Sequence, residues 1–192
     1  KGDHSLSSPK NLRILKRELQ IDEIDTIESY DISHHSGEDA VAGCVVYTQE
    51  GKSKNLYRSY NISKQNSGND IGSMLELIER RFSKTNKNKP PSLIIIDGGR
   101  THLNQVQKRM SDLGHPSINI ISISKGVRRK TSFDSIHLPR GESKIVKEDS
   151  IFHNFIQEIR DETHRYAISI QKRKSIKSSS STDWRYYYTR VF

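Results

Sequence analysis

The sequence predicts a mixed α/β fold, one sheet with helices packed against it. Three observations predict it. Strand-like runs separated by short turns occupy residues 26–62, a wholly apolar run stands at Ser92–Ile96, and helical periodicity precedes, interrupts and follows them. The 192 residues suit a single domain. Only 32% of them are hydrophobic, with a mean hydropathy of −0.78, so the core must be concentrated in these runs. Residues 1–11 read as a flexible N-terminal segment, 12–174 as the folded domain and 175–192 as a disordered or divergent tail.

The elements follow in order. Ser8-Pro9 suits a helix start, and Leu12, Leu15 and Leu19 repeat at helical spacing, giving a helix over about 9–20. Thr26–Ile32, Ala40–Thr48 and Asn55–Ile62 alternate or carry β-branched residues, and the short turns between them make them antiparallel neighbours. The period then changes. Ile71, Met74, Leu75, Ile78 and Phe82 form one face of a helix capped by Asn69. Ser92–Ile96 has no polar face and reads as a buried central strand, ended by Asp97-Gly98-Gly99. A helix over Thr101–Leu113 closes at Gly114, and Ile118–Ile123 and Ser135–Leu138 read as further strands. Asp149 is expected to cap a long helix reaching about Lys172, with Phe152, Phe155, Ile156, Ile159, Tyr166 and Ile170 as its stripe. Three antiparallel strands followed by parallel strands, with helices between, is the order of a ribonuclease-H-like mixed sheet. Other α/β layers share that order, so it does not settle function.

Composition narrows the classes of function. Lys and Arg number 32 against 23 Asp and Glu, a net charge of +9, which suits a polyanionic partner. No apolar run approaches membrane-spanning length, and no apolar leader is visible, so a cytoplasmic protein is expected. Cys44 is the one cysteine. It excludes an intrachain disulfide and reads as core in mid-strand.

Chemistry is expected where strands end. Asp31 closes the first strand and Asp97 the apolar one. If those strands are neighbours, two carboxylates project from the same end of the sheet, repel each other and suit a hard divalent cation, Mg²⁺ or Mn²⁺. Taken singly, each Asp would more often cap a turn. His164 falls just outside the stripe of the last helix, beside Arg160. It is either solvated surface or a nitrogen ligand or proton carrier near the metal. Arg160 and Arg165 would then face phosphate, although Asp161 with Arg165 could be an ordinary helical pair. Asp70 suits a helix N-terminus. Lys125, Arg128, Arg129 and Lys130 form a basic loop after a strand, where a phosphate backbone would pass, and Tyr57-Arg58 adds to the positive supply. His34, His35, His102 and His115 show no metal-ligand spacing.

These residues carry a family resemblance. Glu28-Ser29-Tyr30-Asp31-Ile32-Ser33-His34, Val41–Val46, Tyr57–Ile62, Asp70, Ile96-Asp97-Gly98-Gly99, Ser124-Lys125-Gly126 and Arg160-Asp161-Glu162-Thr163-His164-Arg165-Tyr166 appear in order. Together they resemble the C-terminal endonuclease domain of the UvrC family, the incision nucleases of bacterial nucleotide excision repair, over about residues 12–174. The resemblance implies an Asp-Asp-His nuclease centre at Asp31, Asp97 and His164, with Asp70 as a further acidic residue needed for incision. It also implies Lys125 in a basic loop, although Ser124 stands where the family usually has Ala. The implied reaction is metal-dependent cleavage on the 5′ side of a lesion in double-stranded DNA, starting from a UvrB–DNA complex prepared by UvrA. Separately from the resemblance, a monomer is expected. The family's GIY-YIG nuclease, UvrB-interacting segment and helix-hairpin-helix motifs have no counterpart in these residues. Ser178–Phe192 matches no family motif, although its aromatic and basic residues could stack on bases. Two other readings stand beside this one: a related nuclease of the endonuclease V kind, against which the last-helix motif argues, and a non-catalytic DNA-binding module.

Overall fold

The computed structural model describes residues 9–34, 40–63, 65–66, 68–124 and 135–188. In chain order the elements are α1 (Pro9–Leu19), β1 (Thr26–Ser33), β2 (Val41–Thr48), β3 (Gly51–Lys52), β4 (Arg58–Asn61), α2 (Asp70–Arg81), β5 (Leu93–Asp97), α3 (Arg100–Asp112), β6 (Asn119–Ser124), β7 (Ser135–His137), β8 (Ser143–Ile145) and α4 (Ile151–Tyr188). The strands form one sheet in the order β3-β2-β1-β5-β6-β7-β8, with β4 also on β2. β1 pairs antiparallel with β2 and parallel with β5, and β5 parallel with β6. This is the mixed sheet that the sequence predicts, and the SLIII run is indeed central, between β1 and β6.

Alternation along each strand divides the core into two layers. Ile27, Val45, Leu93, Ile95, Ile121 and Ile123 pack with α1 and with Phe152, Phe155, Ile156 and Ile159 of α4. Cys44, Val46, Ile94, Ile96 and Ile120 face the other way, onto α2 and α3. Each fully buried Leu, Ile or Phe contributes roughly 1.5–3 kcal/mol, so the two helical layers hold the sheet between them. Cys44 lies in this core, as expected.

Four details differ from the sequence reading. The expected strand over Asn55–Ile62 begins with a 3₁₀ turn, Lys54–Leu56, and β3 and β4 are two pieces of one edge, both on β2. β8 was not expected, since a short edge strand with exposed Ile145 has no apolar face to betray it. The cap of α4 is Ser150, whose Oγ accepts from the His153 N–H at 3.1 Å, and not Asp149, which is left-handed at φ 63°. The helix continues past Lys172 to Tyr188. By contrast Asn69 caps α2 as expected, accepting from the Gly72 N–H at 3.0 Å.

One glycine sets how closely α4 approaches the sheet. Gly43 stands opposite Asp31 in the β1–β2 register. A Cβ built there would lie 3.1 Å from both Cα and Cβ of Ala167. The bare backbone lets α4 settle on β2 one turn beyond His164. Gly43→Val is expected to cost about 1–3 kcal/mol through overpacking, by forcing α4 off the sheet. Urea denaturation checks it; a variant of unchanged stability would show that the contact yields freely.

Candidate active site

The site lies at the carboxyl end of the two central parallel strands. The register runs Ile27 with Leu93, Glu28 with Ile94, Ser29 with Ile95 and Tyr30 with Ile96. The next step brings Asp31 and Asp97 to the same level. Both share the parity of Ile27, Leu93 and Ile95, so both carboxylates belong to the α4 face.

Helix α4 supplies the partners. His164 Nδ1 lies 2.8 Å from Asp31 Oδ2, and Arg160 Nε donates to Asp97 Oδ2 at 2.9 Å. His164 and Arg160 are one helical turn apart, which is why one helix reaches two adjacent strand ends. The four residues line a cleft of about 410 Å³ together with Tyr30, Ile123 and Thr163. Burial pushes the Asp31 carboxyl above the usual carboxylate range; the nearby Asp97 charge adds to this, while the His164 hydrogen bond opposes it. Such a carboxylate gains from any cation that shares its pocket.

On the α2 face, a second cleft of about 250 Å³ reaches the same carboxylate pair, lined also by Asp70, Met74 and His102. Asp70 is the first residue of α2 and bonds His34, with Nε2 to Oδ1 at 3.0 Å. The sequence reading found no role for His34. Its signal was its place just past the end of β1, but nothing in the sequence linked it to a residue 36 positions away.

Asp31, Asp97, His164, Asp70 and Arg160 therefore stand around one strand end. Arg165 does not join them. It turns to Glu162, donating from Nε at 2.7 Å and Nη2 at 2.8 Å, in a separate surface cleft with Lys52 and Glu158. Asp161 accepts from Gln157 instead of pairing with Arg165. Arg58, expected on the positive surface, is turned inward to Glu28 at 3.0 Å. Lys125, Arg128, Arg129 and Lys130 lie outside the described residues. His137 of β7 meets Ser124 of β6, with Nε2 2.9 Å from Ser124 Oγ.

The family model described as the UvrC RNAse H endonuclease domain matches residues 16–168. The chain belongs to the UvrC family. It is 38% identical over 162 residues to UvrABC system protein C of Saccharophagus degradans, covering 83% of this chain and 26% of that protein. With the same protein of Vibrio cholerae it shares 38% over 173 residues, 88% of this chain and 28% of that one. The chain thus spans about a quarter of the length of these UvrC relatives. Among solved structures, endonuclease V of Ciona intestinalis bound to an inosine-containing DNA is 13% identical with a TM-score of 0.46, over 85% of this chain and 98% of that one.

No group of three His, Cys, Asp or Glu side chains among the described residues already converges as a metal cage. Asp97 is engaged by Arg160 and Asp31 by His164. The donor types still fit a hard divalent cation. Two carboxylates on one face, at one level and in one cleft are the oxygen ligands that Mg²⁺ and Mn²⁺ prefer, with room for water. No described helix is long and apolar enough to cross a membrane.

Proposed function

We propose that this chain is a metal-dependent DNA endonuclease that makes the 5′ incision beside a lesion, acting in the cytoplasm as a monomer on a UvrB–DNA complex prepared by UvrA. The observation that carries this reading is the meeting of Asp31, Asp97, His164 and Arg160 in one cleft at the end of β1 and β5. The names of the UvrABC relatives support the pathway.

Asp31 and Asp97 would hold Mg²⁺ or Mn²⁺, with His164 beside the ion as the proton carrier. When bound there, such an ion would supply a nucleophilic water and stabilise charge at the phosphate. Arg160, which holds Asp97 at 2.9 Å, passes its guanidinium to a non-bridging phosphate oxygen as the DNA enters, a fork suited to that anion. His164, fixed through Nδ1 by Asp31, takes up a water proton at its other ring nitrogen. Attack in line with the 3′ oxygen leaves a 5′-phosphate and a 3′-hydroxyl. Lys125, Arg128, Arg129 and Lys130 supply backbone contacts, assisted by the +9 charge.

The direct test combines the chain with lesion-bearing duplex, UvrA, UvrB and a separate source of 3′ incision. A new nick 5′ of the lesion is expected with Mg²⁺ or Mn²⁺ and none with chelator; salt-sensitive binding without metal-dependent hydrolysis would leave only a binding module.

A binding measurement checks the metal separately. At a hundredfold excess over Kd, a ligand specific for the native state adds about 2.7 kcal/mol. For a chain of this size that raises Tm by roughly 5–10 °C. Mn²⁺ is expected to do so for the wild type and not for Asp31→Asn combined with Asp97→Asn. An equal shift in both would place the ion elsewhere.

A further inference from the structure

The carboxylate pair is approached from both faces of the sheet, and each face carries its own histidine–aspartate pair. On the α4 side His164 is bonded to Asp31 at 2.8 Å. On the α2 side His34 is bonded to Asp70 at 3.0 Å. The two clefts share Asp31 and Asp97. A phosphate brought to those two residues therefore has His164 in the cleft on one side and, in the cleft on the other, Asp70 with His34 bonded to its carboxylate. Hydrolysis of a phosphodiester needs proton transfer at two oxygens: the water that attacks and the 3′ oxygen that departs. These lie on opposite sides of phosphorus in an in-line displacement.

We propose that His34, oriented by Asp70, is the proton donor to the departing 3′ oxygen. This rests on the nuclease reading above and assigns one step within it. The water oxygen forms its bond to phosphorus and gives its proton to His164. The bond from phosphorus to the 3′ oxygen breaks, its electron pair stays on that oxygen, and the oxygen takes the proton from Nδ1 of His34. Both imidazoles return to their starting state by exchange with solvent.

Three observations favour this role over a structural one. Capping of α2 is done by Asn69, so Asp70 is not needed for it. The Asp70 side chain is 76% exposed, and a pair this open to water contributes little to stability. Finally, the bond to Asp70 uses Nε2, which fixes the ring and leaves Nδ1 for chemistry, in the way a carboxylate orients a catalytic imidazole. His34 is thus the catalytic residue and Asp70 a positioning residue. His102, which itself lines the α2-side cleft and packs against Gly98, is the competing donor.

A leaving group that needs no proton distinguishes them. The substrate is a lesion-bearing duplex whose scissile linkage carries sulfur in place of the 3′ oxygen, compared with the ordinary linkage, both in the UvrA and UvrB assay with Mn²⁺. His34→Ala is expected to slow the ordinary linkage by about 10²-fold and to recover on the sulfur linkage to within roughly fivefold of wild type, because a thiolate departs unaided. Asp70→Asn follows the same pattern more mildly, and the double variant is no slower than His34→Ala, as expected of two residues acting as one unit. Asp31→Asn stays slow on both linkages. The assignment is overturned if His34→Ala is equally slow on both, if it is as fast as wild type on the ordinary linkage, or if His102→Ala shows the sulfur recovery instead. Should the wild type cut neither linkage, the nuclease reading itself falls, and this step with it.

Discussion

Asp31→Asn is expected to reduce 5′ incision by about 10³-fold or more, a loss on the order of 4 kcal/mol in transition-state stabilisation, while leaving the fold intact. Asn can still accept the hydrogen bond that His164 now gives Asp31 at 2.8 Å, so the geometry survives and the charge does not. Stability should be unchanged or higher. Burial holds the Asp31 carboxyl above its usual range, with Asp97 adding to the effect. A carboxyl raised in the folded state keeps its proton longer there than in the unfolded chain. Folding stability therefore falls as pH rises from the unfolded value through the raised one, and at neutral pH the ionised group is a net cost. Asn removes that cost. Asp97→Asn should lose activity comparably, and it also releases Arg160. Single-turnover nicking beside thermal denaturation checks both; activity within threefold of wild type, in a folded variant, would remove the carboxylates from the mechanism.

The second large effect lies in the core. Glu28, 1% exposed, shares β1 with Asp31 but belongs to the opposite face. Arg81 of α2, equally buried, donates to it from Nε at 2.9 Å and from Nη2 at 2.8 Å. Arg58 and the Tyr30 hydroxyl complete its shell at 3.0 and 2.6 Å. Arg81 also donates to the Lys89 carbonyl at 2.8 Å, fastening the segment that leads into β5. Removing Arg81 leaves a buried carboxylate short of its main partner, so Arg81→Ala is expected to cost about 3–5 kcal/mol. Replacing both residues together, Glu28→Leu with Arg81→Met, should restore most of it, because the desolvation cost disappears with the charges. Urea denaturation measures both, and a loss below about 1 kcal/mol in Arg81→Ala would show the pair to be dispensable. Acid should narrow the gap between wild type and Arg81→Ala. Burial alone would raise the Glu28 carboxyl, but Arg81 outweighs it and holds the group below the usual range. Its contribution is full above the unfolded value and is lost as pH falls through the depressed one.

Local pattern carried much of this protein. Period-two alternation in β1 and β2, the unbroken apolar run of β5 and the 3.6-residue stripe of α2 each report a burial environment that neighbouring residues share, so they are legible without a structure. Asp31 and Asp97 were legible for the same reason, since each ends a run whose register is strict. Elements without an apolar face were not: β8, with its exposed Ile145, and the stretch of α4 beyond Lys172, where serines replace the stripe. The preference of Ser150 over Asp149 as cap is likewise a matter of backbone angle, not of residue type.

The sequence by itself determined which residues stand at the carboxyl ends of the central strands and that two of them are acidic. Only the tertiary structure decided their company. His164 reaches Asp31 across 133 positions, Arg160 reaches Asp97 across 63, and Arg81 reaches Glu28 across 53. Arg165 and Arg58, equally basic in the sequence, are spent on Glu162 and Glu28. Periodicity is a local property, fixed by the residues of one element. Which charges meet depends on how closely two layers approach and at what rotation, and here a glycine opposite Asp31 and an alanine one turn past His164 set that approach.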